Sequence, residues 1–124
     1  MLEIDLVNYL KTYQSLKDLV GGRIYPGAIP ENGTNPAIAY NEISAPGHHD
    51  IEVAFPRFQF SCFSPRYTEA KQVRTEIENA LKRFKGKMGN TRVIQGVSAG
   101  KYMLYEKDTM LHNAIIDIKI IYWE

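Results

Sequence analysis

The chain has 124 residues, of which 44% are hydrophobic and 23% are charged, and its formal net charge is +1. These values are typical of one globular domain, and they exclude a disordered, collagen-like or coiled-coil chain. The single cysteine, Cys62, excludes an internal disulfide and a zinc site built from several cysteines.

The first residues argue against secretion. The segment MLEIDLVNYL carries acidic residues where a secretory signal carries basic ones, so the sequence predicts no secretion signal. No apolar run approaches the roughly 18 residues of a membrane-spanning helix. We therefore expect a soluble protein of a reducing compartment, with no membrane partner.

The first predicted helix covers about residues 4–20. Leu6, Leu10 and Val20 belong to an apolar stripe that recurs at steps of three and four residues, the spacing of one helix face. Gly21-Gly22 follows and predicts the end of the helix, since glycine adopts the left-handed cap conformation at little cost.

A loop and a strand come next. Residues 26–36 contain three prolines and two glycines, a composition typical of a loop. Residues 37–44 are predicted as a strand, and residues 45–56 break the pattern again with further prolines. Residues 57–64 then alternate strictly, which predicts a strand with one buried face.

The second predicted helix is the clearest element of the chain. Ser64 suits its N-cap and Pro65 its first position. Gly86 predicts its end, which places Lys82, Arg83 and Lys85 in the last turn. The stripe that faces the core recurs at steps of three and four residues and consists of Ala70, Val73, Ile77, Leu81 and Phe84.

Three strands are predicted in the last third of the chain. Residues 92–98 and 101–106 form two of them, joined by a tight turn at Ala99-Gly100. Residues 111–123 form a long final strand that is apolar on both faces. Such a strand is covered on both faces, and a neighbouring subunit is a candidate for one of the covers.

Few residues of the chain are candidates for catalysis or metal binding. His48, His49 and Asp50 are ligand-type residues, but neighbours along an extended chain point apart, and His112 is the only other histidine. Cys62 belongs to the apolar face of its strand, where burial makes a thiol inert. No glycine-rich phosphate loop precedes a helix. We therefore expect no enzymatic activity, no metal and no cofactor.

The charges are unevenly distributed along the chain. Residues 65–92 hold eight basic and three acidic residues, whereas the rest of the chain is net acidic. This basic segment is either a solvated helix face or a surface that meets the acidic parts of another copy, since complementary patches orient association. The candidate basic interface consists of Arg66, Arg74, Lys82, Arg83, Lys85 and Lys87.

The order of the elements and several short motifs resemble a known family. Residues 19–26 read LVGGRIYP, and a loop then leads to PAIAY at residues 36–40. Later, RFQFSC at residues 57–62 is followed by SPRYTEA at residues 64–70, and HNAIIDI at residues 112–118 lies near the end. The arrangement resembles the tail-completion proteins of long-tailed bacteriophages and prophages, also described as tail-terminator or head–tail joining proteins.

The resemblance implies a fold and a role. The fold would be α+β over residues 1–124, with a mostly antiparallel sheet of about four to five strands packed by two helices. Six copies would form a homohexameric ring that caps the tail tube protein, ends tail polymerisation and offers its other face to the head connector protein. No substrate and no cofactor would be involved, and DNA would only pass through the ring.

The resemblance also implies a location and leaves alternatives open. The protein would lie at the neck of the virion, after assembly in the host cytoplasm. The alternatives are a head-side adaptor of the connector and a non-viral module that binds nucleic acid or protein through residues 66–92. The pI of about 7.8 gives little support to nucleic-acid binding.

Residues 45–56 are the candidate assembly loop. The segment is long and interrupted by prolines, and loops of this kind are usually functional or disordered. We expect it to order against a neighbouring copy or the tube, and an extended hairpin within one subunit is the alternative. The residues that would make contact are His48, His49, Asp50, Ile51, Val53 and Phe55.

Overall fold

The computed structural model describes residues 1–45 and 52–124, and within them the chain forms three helices and seven strands. The helices are α1 (Leu2–Thr12), α2 (Gln14–Val20) and α3 (Tyr67–Leu81). The strands are β1 (Ile24–Pro26), β2 (Ala37–Ser44), β3 (Val53–Ala54), β4 (Arg57–Ser64), β5 (Gly86–Met88), β6 (Thr91–Glu106) and β7 (Leu111–Trp123).

All the strands belong to one sheet in the order β1-β2-β4-β7-β6-β5, and β3 pairs with the end of β7. Only β1 and β2 are parallel, so the predicted α+β class with a mostly antiparallel sheet is confirmed. The predicted numbers were too low, since the described residues form seven strands and three helices. Strands β1, β3 and β5 have only two or three residues, too few for alternation to reveal them.

The core lies between the helices and one face of the sheet. Strand β4 contributes Phe58 and Phe60, and β7 contributes Ile116, Ile118 and Ile120, all without exposed surface. Burying a side chain of this size stabilises the fold by about 1.5–3 kcal/mol relative to exposure. The helical residues packed against them are Leu6, Leu10, Leu16, Val20, Ala70, Val73, Ile77 and Leu81.

The predicted helix over residues 4–20 is in fact two helices. Tyr13 is extended, with φ −69° and ψ 114°, and separates α1 from α2. The apolar periodicity continues across the break because Leu10 and Leu16 are buried in the same core. Hydrophobic spacing therefore gives no sign of this change of direction.

The predicted hairpin at Ala99-Gly100 was wrong. Residues 91–106 form the single strand β6, which pairs with β7 along its length and has a bulge between Ser98 and Gly100. The guanidinium of Arg57 donates to the carbonyl oxygen of Ala99 over 3.2 Å and so secures the bulge. An Ala-Gly pair suits a bulge as well as a turn, and the true turn to β7 lies at residues 107–110.

A buried polar group lies on the outer face of the sheet, by which we mean the face opposite the helices. Asp117 in β7 is buried and accepts hydrogen bonds from Arg57 Nη2 over 3.3 Å and from Gln59 Nε2 over 3.2 Å. This group ties the side chains of β4 to β7 next to the bulge. The burial of Asp117 is thereby explained within one subunit.

Candidate assembly surface

The described residues that were considered for catalysis are packed against other side chains of the fold. Cys62 is buried in the core, and burial raises the pKa of its thiol. The ring of His112 lies 5.6 Å from that of Tyr67 and 4.8 Å from that of Tyr105. Residues 1–45 and 52–124 contain no group of three or more His, Cys, Asp or Glu side chains that could hold a metal. No helix of that part of the chain is long and apolar enough to span a membrane.

The predicted basic interface divides into separate places. Arg66 precedes the first residue of α3, whereas Lys82 follows its last residue. A helix of 15 residues is about 22 Å long, so these two residues lie far apart. Arg74, in the middle of α3, donates to the carbonyl oxygen of Tyr102 over 2.9 Å and is occupied within the subunit.

The other basic residues form one cluster, which we call the basic side. Lys82 and Arg83 follow the end of α3, where the sequence predicts a last helical turn, and Arg83 has a φ of 63°. Lys87 pairs in register with Arg92, which the predicted interface did not include. All members are exposed, and no described residue forms a salt bridge with them. The basic side consists of Lys82, Arg83, Lys85, Lys87 and Arg92.

A second cluster, which we call the acidic side, consists of Glu42, Glu52 and Glu124. The backbone nitrogen of Glu124 donates to the carbonyl oxygen of Glu52 over 2.9 Å. Burial raises the pKa of Tyr122, and the carboxylates of Glu124 and Glu42 raise it further, so both lie near this phenol. The three carboxylates are exposed, and no salt bridge joins them to the described residues.

Members of the two charged sides lie at opposite ends of one row of the sheet. Lys87 in β5 pairs with Arg92, Arg92 with Trp123, and Trp123 with Val53, the residue after Glu52. Neighbouring strands are about 4.8 Å apart, so this row is about 14 Å wide. Lys87 and Arg92 therefore lie at the same level of the sheet as Glu52 but on the opposite edge. Glu42 lies at a different level, because it pairs with Phe58, which pairs with Ile118.

The second half of β6 leaves one edge of the sheet open. Gly96 is the last residue of β6 that forms backbone hydrogen bonds to the segment before β5. Among the described strands, residues 97–106 pair only with β7. Exposed apolar side chains line this segment, with fractions of 38% for Val97, 50% for Tyr102, 56% for Leu104 and 50% for Tyr105. We call residues 97–106 the open edge.

The candidate assembly loop lies partly outside the described residues, because His48, His49, Asp50 and Ile51 belong to that gap. Val53 and Phe55 are half-buried and belong to the sheet region. Val53 pairs with Trp123 in β3, and the ammonium of Lys119 lies 6.0 Å from the centre of the Phe55 ring. These two side chains are thus held within the subunit.

Sequence reasoning missed the acidic side and the open edge. Glu42, Glu52 and Glu124 are far apart in the chain, and only the pairing of β3 with β7 brings two of them together. The sequence pattern does not distinguish Tyr102 and Leu104 from the other residues of an alternating strand. Their significance depends on which strand lies beside β6, and no local pattern reports that.

The chain matches a known family in sequence and resembles a solved structure in fold. A family model described as tail completion protein gp17 matches residues 4–123. The structure resembles a chain from the solved structure "Virion of native gene transfer agent (GTA) particle", with a TM-score of 0.76 and 13% sequence identity, over 94% of this chain and 90% of that chain. At this identity the likeness shows a shared fold. No curated protein matches the chain. Because the family model spans nearly its whole length, the chain belongs to the tail completion protein gp17 family.

Proposed function

We propose that this protein caps the phage tail tube as a homohexameric ring, ends tail polymerisation and provides the surface to which the head connector joins. Membership of a tail-completion family supports a structural role in phage assembly. The ring, the capping step and the joining step are the finer parts of the proposal. The protein would lie at the neck of the virion and act without catalysis or a cofactor, with DNA only passing through.

The observation that carries the proposal is the open edge. Proteins usually protect an unpaired strand with charges, prolines or a covering element, because it pairs readily with other chains. Arg74 of α3 occupies the carbonyl oxygen of Tyr102. Apart from such side-chain contacts, residues 97–106 have no described strand on this edge and carry the exposed side chains of Tyr102 and Leu104. An assembly protein gains from such an edge, since another subunit or the tube covers it in the particle.

A ring also needs two different surfaces that complement one another on each copy, because head-to-tail contacts close only in that way. The basic side and the acidic side meet this requirement in charge and position. This feature supports a ring over an isologous dimer, in which one surface meets its own copy.

The test is a nonsense mutation in this gene in the phage or prophage that encodes it. We expect filled heads and separate tails of irregular length in electron micrographs of the lysate. Wild-type protein supplied in trans should restore joined particles of normal tail length. Joined, infectious particles in the mutant lysate would contradict the proposal.

Binding to isolated parts tests the side on which the protein acts. Purified protein should bind the ends of isolated tail tubes and then allow heads to join. If it bound isolated heads but not tails, the tail-capping proposal would fail and the head-side adaptor would replace it.

A further inference from the structure

We propose that the basic side of one copy binds the acidic side of the next copy, so that these two clusters form the contact between neighbouring subunits. The proposal rests on the ring described above and assigns the residues of its lateral interface. The partner surface is therefore a second copy of this chain.

Neither cluster forms a salt bridge within residues 1–45 and 52–124. Salt bridges of the described residues involve Asp5, Asp117 and Glu78, and none involves either cluster. Residues 1–45 and 52–124 thus leave five exposed cations on one edge and three exposed carboxylates on the other. Clusters of opposite sign attract and orient two copies.

Part of each cluster lies at one level of the sheet, namely Lys87 and Arg92 on the basic side and Glu52 on the acidic side. The row from Lys87 through Arg92 and Trp123 to Val53 crosses the sheet without a step. Consider a ring whose axis runs roughly along the strands. Rotation about that axis brings the basic edge of one copy next to the acidic edge of its neighbour, and neither copy has to shift along the axis. The basic side of each copy then faces the acidic side of its neighbour, and the contact repeats until the ring closes.

Asp5 of α1, the acid that lies beside β5, already has a partner within its own subunit. Asp5 accepts a hydrogen bond from Thr91 Oγ1 over 2.5 Å and lies close to Gly89, beside β5. This carboxylate is therefore occupied next to the basic side of its own subunit. Asp5 is therefore not free to bind a neighbouring copy, whereas the acidic side is exposed on the opposite edge of the sheet.

Cysteine cross-linking tests the contact directly. The native Cys62 is buried, so only the introduced surface cysteines can form disulfides. A chain carrying Lys87→Cys and Glu52→Cys should, on oxidation, give a ladder of disulfide-linked oligomers, because each copy links to two others. The matched control carries Lys87→Cys and Asp18→Cys, which replaces an exposed acid on α2 instead, and should stay monomeric. A double variant that stays monomeric, or that only equals the control, would overturn the proposal.

Charge reversal gives a second test. Lys85→Glu/Lys87→Glu and Glu52→Lys/Glu124→Lys should each weaken self-association at least about tenfold, because like charges then meet at the reversed positions. An equimolar mixture of the two should associate again, because the two kinds of copy can alternate around a ring with an even number of subunits. Lys11→Glu/Lys17→Glu makes the same charge change on α1 and α2 and should have little effect.

The outcomes separate this inference from the proposed function. If wild-type protein caps tails and both reversal variants cap them equally well, the assigned contact is wrong while the capping role stands. If the Lys87→Cys/Glu52→Cys chain does not cross-link and wild-type protein does not cap, both proposals fail. Loss of a DNA gel shift in Lys85→Glu/Lys87→Glu, without any ladder, would assign the basic side to nucleic acid and overturn the proposal.

Discussion

At the scale of single residues, Gly96 is the position where one methyl group should do most damage. A Cβ added there would overlap the carbonyl oxygen of Leu81, and backbone atoms cannot move aside as a flexible side chain can. Gly96 also bonds through its own backbone to Arg83 and Phe84. We expect Gly96→Ala to lower the free energy of unfolding by about 2–3 kcal/mol, measured by urea denaturation.

The matched control is Gly22→Ala. A Cβ at Gly22 meets no atom within 4 Å, so the change should stay below about 0.5 kcal/mol. Equal losses in the two variants would show that the approach of Gly96 to the end of α3 is not close. Gly96 would then be no more sensitive to an added methyl group than Gly22.

Cys62 gives the fold a dependence on alkaline pH. Burial raises the pKa of its thiol, so the folded state keeps the proton while the unfolded state releases it above about pH 8.5. The stability linked to this proton is complete below the unfolded pKa and decreases as pH rises. We expect a loss of about 1.4 kcal/mol per pH unit above that value.

Urea denaturation between pH 7 and pH 9.5 measures this loss. Cys62→Ala should be less stable than wild type at pH 7 because it leaves a small cavity. The difference between the two proteins should then shrink as pH rises, because the variant lacks the thiol. A constant difference across this range would contradict the account.

At the scale of elements, the sequence predicts what periodicity can report. Strand β2 has its predicted bounds, the burial in β4 alternates as residues 57–64 predict, and the stripe from Ala70 to Leu81 faces the core in α3. The break at Tyr13 escapes prediction because both flanking helices face one core. The bulge at Ser98 and Gly100 escapes it because the signal for a bulge resembles that for a turn.

The continuity of β6 is testable by insertion. One glycine inserted after Gly100 would reverse the faces of residues 101–106 relative to β7, and should cost about 2 kcal/mol or more in unfolding free energy. One glycine inserted after Asp108 only lengthens the turn and should cost less than about 1 kcal/mol. Urea denaturation of both variants gives the comparison. Equal tolerance at the two positions would indicate that Gly100 lies in a loop.

At the scale of the whole molecule, the positions of the charged clusters and of the open edge are set by the pairing of the strands in the sheet. The uneven distribution of charge is visible in the sequence, and the basic residues after α3 were predicted as an interface. Their separation from Arg66 follows from the length of α3. The position of the acidic side opposite them follows from the register of β5, β6, β7 and β3. Long-range pairing of this kind has no local signal, which is why the second surface required the structure.

If copies of this 14.2 kDa chain assemble as a ring on the end of the tail tube, the copies at that end can be counted. The most direct measurement adds fluorescently labelled protein to purified tail tubes and counts copies on single tubes by stepwise photobleaching. The account predicts about six copies, all at one end of each tube. Single copies, or copies bound along the sides of the tubes, would contradict it.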